Sequence, residues 1–166
     1  LHSEGGFYAR SWDSLRFLAF IFGGLLKDQG ENKMMQAGEY YVGDLCYVMT
    51  DEEWTQFCNI TIQGNNVNDG EFELPDGRRF ATYCTKHGDG RYKDQYGNGY
   101  SVDAGLIGCI KLADIKADKY NDISQLGTIR KFEYDFTTSG GRGDRQWDGV
   151  ICIGGVKINT DGWYND

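Results

Sequence analysis

Glycine is the residue that most constrains how this chain can fold. The sequence holds 24 glycines and one proline, Pro75, and from residue 38 to residue 162 the glycines separate short runs of aromatic and β-branched residues. Such runs, bounded by a residue that tolerates unusual backbone angles, are typical of strands joined by tight turns. The pattern therefore predicts a mainly β domain, either a sandwich or a partly open barrel of about eight or nine short strands.

One segment within this β-rich region has the pattern of a short helix. Glu53 stands three residues after Thr50, which is the spacing of a capping box. Trp54, Phe57 and Cys58 then recur on one apolar face. We therefore predict a short internal helix over residues 50–58.

The runs on either side of this helix predict strands. Residues 45–49 (LCYVM) are apolar and follow a Gly-Asp pair. Pro75-Asp76-Gly77 is a turn sequence, because proline fixes φ for its first position and glycine accepts the conformation at its end. We therefore expect a strand over residues 45–49 and a hairpin formed by residues 71–74 and 78–85.

The N-terminal region differs from the rest of the chain, because apolar residues recur there with helical spacing between residues 15 and 26. A bilayer span needs ~20 residues, so this run is too short to cross. A helix that is apolar on most sides needs a cover. That cover is either its own domain, a partner protein subunit or a membrane surface. The division we predict is an arm and docking helix over residues 1–33 and a β-rich domain over 34–166. The docking residues would be Phe17, Leu18, Ile21, Phe22 and Leu25.

Charge and cysteine usage limit the partners. The chain has 25 acidic and 17 basic residues and a net charge of −8, which argues against general binding of nucleic acids. Its five cysteines show no CxxC pair, so a structural zinc site is not expected. An odd number of cysteines, mostly in apolar runs, favours an intracellular, reducing compartment. The sequence contains no motif that requires a metal or a cofactor.

Three aspartates stand in glycine-flanked turns: Asp44, Asp89 and Asp103. Converging carboxylates could bind calcium or a carbohydrate, or do the acid–base work of a hydrolase. Aspartate in a turn more often bonds to the nearby backbone. Both interpretations stay open on the sequence alone.

Cys84 and His87 are the one cysteine and histidine that lie close in sequence. Nucleophilic catalysis by a thiol needs a thiolate and a base within hydrogen-bonding distance. The simpler interpretation is a core cysteine beside a turn histidine. No nucleotide-binding loop and no serine-hydrolase elbow is present.

Two segments carry a resemblance to a known family: YYVGDLCYVMTDEEW (40–54) and HGDGRYKDQYGNGYSVDAGLIGC (87–109). They resemble a family of small uncharacterised proteins from bacteria, phages, large DNA viruses and some protists, whose members carry a YxGDxCYV segment and a GDGxY…VDxGxIG segment. The resemblance covers residues 38–112 and brings no activity with it. It implies that the Gly-Asp turns belong to the scaffold.

These observations favour a non-enzymatic structural or interaction subunit, docked on a larger protein assembly through its apolar N-terminal helix. The alternative is a domain that binds a small ligand, a carbohydrate or Ca²⁺, or a hydrolase that uses the glycine-flanked aspartates. A thiol enzyme that uses Cys84 and His87 is the third possibility.

Overall fold

A computed structural model describes residues 34–120, 123–141 and 146–162. These residues form a mainly β fold with twelve strands in three antiparallel sheets, more strands than the sequence predicts. The prediction of about eight or nine is too low because some pairs, such as β2 and β3, are only two residues long. The strands are β1 (Gly38–Gly43), β2 (Ile62–Gln63), β3 (Asn66–Val67), β4 (Gly70–Glu73), β5 (Arg79–Cys84), β6 (Gly90–Asp94), β7 (Gly99–Val102), β8 (Leu106–Lys111), β9 (Thr128–Phe132), β10 (Thr138–Ser139), β11 (Val150–Ile153) and β12 (Val156–Asn159).

The first sheet has the strand order β4-β5-β8-β1-β9, and its central strands are buried on both faces. Successive residues of a strand point to opposite faces. Tyr40 and Val42 accordingly join the core shared with the second sheet, whereas Tyr41 joins the core on the other side. A strand with two buried faces needs a continuous apolar run, which explains why β1, β5 and β8 do not alternate with polar residues.

The second sheet has the order β10-β11-β12-β6-β7. Tyr92, Tyr100 and Ile151 lie on its buried face, whereas Arg91 and Lys157 are exposed on the opposite face. The two five-stranded sheets pack face to face through the core that contains Tyr40, Tyr92 and Ile151. In the described part of the chain, neither sheet closes into a barrel. A two-stranded ladder of β2 and β3 stands apart from both.

Helices cover the outer face of the first sheet. They are α1 (Asp51–Thr61), two short 3₁₀ helices (Leu112–Asp114 and Ala117–Lys119) and α2 (Ile123–Leu126). The short internal helix is confirmed as α1, and its capping box is present. The Thr50 hydroxyl oxygen accepts from the Glu53 N–H at 3.2 Å, and the Glu53 carboxylate accepts from the Thr50 N–H at 3.1 Å.

The prediction of a strand over residues 45–49 is wrong, because Leu45–Tyr47 form a 3₁₀ helix. Asp44 caps this turn: its Oδ1 accepts a hydrogen bond from the Cys46 N–H at 3.0 Å. A local bond from an aspartate to the backbone competes with the strand ladder. The apolar residues of the run are nevertheless used, because Leu45 and Val48 are buried in the core below the helices.

The predicted hairpin is confirmed. β4 and β5 pair in antiparallel register from Gly70 opposite Thr82 to Glu73 opposite Arg79. At the turn, Gly77 has a φ of +95°, which a residue with a side chain rarely adopts. The Asp76 carboxylate accepts from the Arg78 N–H at 3.2 Å, so the turn also carries its own local bond.

The predicted N-terminal docking helix lies outside the described residues, and so do all five of its docking side chains. In the described residues, no helix is long and apolar enough to cross a membrane. The boundary between an N-terminal extension and a β-rich domain at residue 34 stays a prediction.

Candidate functional site

Cys84 and His87 both line a cleft of about 550 Å³ beside α1. The lining comes from two parts of the chain: one wall is α1 with β2 and β3, and the second wall is the end of β5, the loop after it and the turn that leads into β8. The described residues that line it are Trp54, Phe57, Cys58, Thr61, Ile62, Val67, Cys84, Thr85, Lys86, His87, Gly88, Ala104, Gly105 and Leu106. The cleft is large enough for a small organic molecule.

The α1 wall is apolar and rigid. The helix presents Trp54, Phe57 and Thr61 to the cleft, at spacings that place them on one face. The Trp54 and Phe57 rings stack at 4.6 Å with planes 9° apart, and Phe57 packs against Phe80 of β5 at 5.1 Å. The Thr61 hydroxyl donates to the Phe57 carbonyl at 2.8 Å, so this buried polar group is satisfied within the helix. This wall offers aromatic surface rather than polar groups.

The second wall is a loop held by hydrogen bonds from backbone and hydroxyl groups. The Thr85 N–H donates to the Gly105 carbonyl at 3.0 Å, and the Thr85 hydroxyl donates to the Gly88 carbonyl at 2.6 Å. The Lys86 N–H donates to the Thr160 hydroxyl oxygen at 3.0 Å. These bonds fix the backbone from which the Lys86 and His87 side chains project, so the two side chains are held near each other.

Asp161 joins both of these side chains. Its Oδ1 lies 2.9 Å from Lys86 Nζ and 3.6 Å from His87 Nε2. The hydrogen bond from Lys86 is the main reason why the pKa of Asp161 lies below its ordinary value. Asp161 itself does not line the cleft, and neither does any other acidic residue that the structure describes. Lys86 and His87 are thus the basic residues of the lining, and the described lining holds no acidic residue.

The cysteines near the cleft are suited to packing. All five cysteines of the chain are thiols, outside any disulfide. Burial raises the pKa of Cys58, and it raises the pKa of Cys46 further, where the Asp44 carboxylate adds to the effect. Cys84 is 5% exposed. A thiol whose pKa is raised stays protonated at neutral pH and is a poor nucleophile.

The glycine-flanked aspartates meet, but they do not share a binding role. Asp44 is fully buried, and its Oδ2 accepts from the backbone N–H groups of Asp103 at 2.9 Å and Ala104 at 2.7 Å. The turn at Asp89 packs against the same loop, since a Cβ on Gly105 would lie 3.7 Å from Asp89 Oδ1. Asp44 therefore holds two turns together through the backbone, which is a structural role.

A calcium or other metal site finds no support in this arrangement. In the described ranges, no group of three or more His, Cys, Asp and Glu side chains is placed to hold a metal ion. The carboxylate of Asp44 has its oxygens committed to three backbone N–H groups. Asp44 therefore acts on the fold of this region, whereas Asp89 and Asp103 are exposed.

Comparisons with known proteins add no identity. No protein-family model, no curated protein and no solved structure matches this chain. The resemblance over residues 38–112 thus stays a prediction. The site has to be interpreted from its own geometry.

Sequence reasoning missed several residues of the cleft. Trp54 and Cys58 lie on the apolar helix face that follows the capping box in the sequence. That apolar face is the sequence pattern from which their place in the cleft could have been predicted. Lys86 lies between the two predicted residues Cys84 and His87. No sequence pattern pointed to Asp161, because only the folded chain brings its carboxylate next to Lys86.

Proposed function

We propose that residues 34–166 form a non-enzymatic binding domain, and that the cleft beside α1 takes a small organic ligand with an apolar body. The observation that carries this proposal is the cleft itself, about 550 Å³ in volume and lined on one side by the stacked rings of Trp54 and Phe57. Ligand sites are concave and mostly apolar, with a few polar groups that set orientation. Lys86 and His87 are such groups here.

The properties of the reactive groups favour binding over catalysis. A hydrolase built on the glycine-flanked aspartates needs a carboxylate that can exchange a proton with substrate. Asp44 is fully buried and bonded to three backbone N–H groups, so its carboxylate serves the fold. Thiol catalysis needs an accessible cysteine with a lowered pKa. Cys84, the predicted nucleophile, is 5% exposed, and burial raises the pKa of Cys58, which also lines the cleft.

The test uses an uncharged fluorescent probe, N-phenyl-1-naphthylamine, titrated into the full chain. We expect saturable binding that Cys58→Phe weakens at least about tenfold, because the larger side chain fills the cleft. The matched control is Cys152→Phe, which enlarges another half-buried cysteine at a site away from this cleft. Binding that survives Cys58→Phe, or that is lost in Cys152→Phe instead, would show that the cleft is not the site.

We also propose that the N-terminal segment joins the domain to a larger protein assembly, as an interaction subunit in an intracellular, reducing compartment. The support is the helical spacing of Phe17, Leu18, Ile21, Phe22 and Leu25. Burial of five such side chains is worth roughly 7–15 kcal/mol before the cost of association. The five thiols agree with a reducing location.

Deletion of residues 1–33 tests this second proposal. We expect the truncated chain to remain folded and soluble and to leave its assembly during size-exclusion chromatography of native extracts. Flotation of the full chain, but not of the truncated chain, with anionic vesicles would indicate a membrane surface as the cover instead. An unfolded truncated chain would show that the segment belongs to the core of its own domain.

A further inference from the structure

We propose that the ligand of this cleft carries a carboxylate, which replaces the side chain of Asp161 at Lys86 and His87. This inference rests on the proposed binding function and names the chemical class of the ligand. That class is a small amphiphilic acid, with an apolar or aryl body and one carboxylate at its end.

The first argument is the sign of the charge in the cleft. The chain has 25 acidic and 17 basic residues, so a randomly placed cleft would more often carry acidic groups. The basic side chains among the described lining residues are Lys86 and His87, and the other titratable ones are the thiols Cys58 and Cys84. Both basic groups can donate to an anion, and a local site of this sign selects a negatively charged head group.

The second argument is that a carboxylate already occupies these donors. Asp161 Oδ1 stands 2.9 Å from Lys86 Nζ and 3.6 Å from His87 Nε2, so one oxygen faces both groups. The Asp161 side chain is 55% exposed and lies outside the cleft lining. Exposed ion pairs are weak, so a better-placed carboxylate that enters from the cleft can take over the same two donors.

The third argument is that the exchange requires only a side-chain movement. The Thr160 hydroxyl accepts from the Lys86 N–H at 3.0 Å and donates to the Gly149 carbonyl at 2.6 Å. The Thr160 N–H donates to the same carbonyl at 2.8 Å. The backbone before Asp161 is thus held in place, and rotation of the Asp161 side chain into solvent releases Lys86 while the loop stays as it is.

The fourth argument concerns the body of the ligand. Lys86 and His87 line the cleft from the loop after β5, whereas Trp54, Phe57 and Ile62 line it from α1 and the start of β2. Phe57 is 1% exposed and packs behind the Trp54 ring, so Trp54 and Ile62 supply most of the apolar surface on this side. A molecule that satisfies both walls has an apolar or aromatic part and an anionic end.

The experiment compares two probes that differ in the head group alone: 4-phenylbutyrate and 4-phenyl-1-butanol, each titrated calorimetrically into the full chain. We expect the acid to bind about tenfold more tightly than the alcohol, the size of one charge-assisted hydrogen bond. Lys86→Met should abolish this preference, because the acid then loses its cationic donor. Asp161→Asn should tighten binding of the acid about three- to tenfold, because the competing carboxylate is gone.

Asp118→Asn is the matched control, since it removes an exposed carboxylate elsewhere and changes the net charge equally. Equal binding of acid and alcohol to the unmodified chain would overturn this proposal and leave the proposed function standing. A gain in acid affinity that is as large in Asp118→Asn would also overturn it, because the effect would then be one of net charge. Binding of neither compound would overturn it together with the proposed function.

Discussion

Asp44 gives the most direct test of how this fold is held together. Its side chain is fully buried, and its two oxygens accept from three backbone N–H groups, those of Cys46 at 3.0 Å, Asp103 at 2.9 Å and Ala104 at 2.7 Å. The residues bonded to Oδ2 lie 59 and 60 positions further along the chain. Asp44 therefore joins the turn after β1 to the turn before β8, and both turns lose their anchor if it is replaced.

The size of the effect follows from the number of bonds that each substitution keeps. Asparagine has the same shape as aspartate. With its side-chain oxygen toward Asp103 and Ala104, Asp44→Asn keeps those two bonds. Its NH₂ then faces the Cys46 N–H and cannot accept a hydrogen bond from it. The loss of one bond to a charged acceptor lowers the free energy of unfolding by about 2–3 kcal/mol. Asp44→Ala leaves three N–H groups without their acceptor and should cost about 4–6 kcal/mol, close to the whole stability of a small domain.

Urea unfolding followed by tryptophan fluorescence measures this difference. A domain of this size has a slope of about 1–3 kcal/mol/M, so we expect Asp44→Asn to lower the midpoint by about 0.7 M or more at an unchanged slope. Asp118→Asn, at an exposed position, should leave the midpoint within experimental error. If Asp44→Asn and Asp44→Ala both unfold at the same urea concentration as the unmodified chain, these three bonds do not stabilise the fold.

Three further substitutions test the packing, the helix and the pH dependence. Gly108→Ala should cost about 3 kcal/mol or more in chemical unfolding, because its Cβ would lie 1.9 Å from the Ala81 carbonyl oxygen, whereas Gly155→Ala meets nothing within 4 Å and should be neutral. Thr50→Ala removes the capping box of α1 and should lower stability by about 1 kcal/mol in the same assay. Burial alone would raise the pKa of Asp94, but hydrogen bonds led by one from a tyrosine hydroxyl outweigh burial and hold that pKa below its ordinary value. The stability that this carboxylate contributes is present above its unfolded-state pKa of about 3.9 and is lost as the pH falls toward its folded value, so Asp94→Asn should flatten the fall in thermal stability below about pH 5.

Short sequence patterns predicted the elements that are stabilised by contacts between residues close in sequence. The capping box at Thr50 marked the start of α1, and the turn at Gly77 marked the hairpin of β4 and β5. Both are stabilised by bonds between residues close in sequence, so the sequence pattern is enough to find them. The strand predicted at residues 45–49 failed because Asp44 offers the backbone a competing local bond.

The site could not be predicted to the same extent. Its two walls meet only because β5 pairs with β8 and α1 packs on the first sheet, and pairings between distant segments leave no local pattern. The sequence placed Cys84 and His87 near each other but gave no reason to add Asp161, whose contact with Lys86 depends on where the chain turns after β12. The sequence also suggested Asp44 as a candidate catalytic or ligand-binding residue, and only the burial of that side chain shows its structural role.

Two buried threonines allow a last prediction, in which the same substitution, threonine to valine, raises the free energy of unfolding at one site and lowers it at the other. The Thr82 side chain is buried on β5, and its hydroxyl oxygen has no hydrogen-bond partner among the described residues. Burial of a hydroxyl without a partner costs about 1–3 kcal/mol. Valine has the same branched shape without that group, so Thr82→Val should raise the free energy of unfolding by about 1 kcal/mol.

Thr61 is the matched case, because it is equally buried but donates its hydroxyl to the Phe57 carbonyl at 2.8 Å. Thr61→Val therefore loses a bond and should lower the free energy of unfolding by about 0.5–1.5 kcal/mol in the same urea assay. Solvent exposure cannot account for a difference between the two sites, so opposite signs would identify hydrogen-bond satisfaction as the cause. If Thr82→Val destabilises the domain as Thr61→Val does, then the Thr82 hydroxyl has a bound water or another partner, and its burial is no cost to the fold.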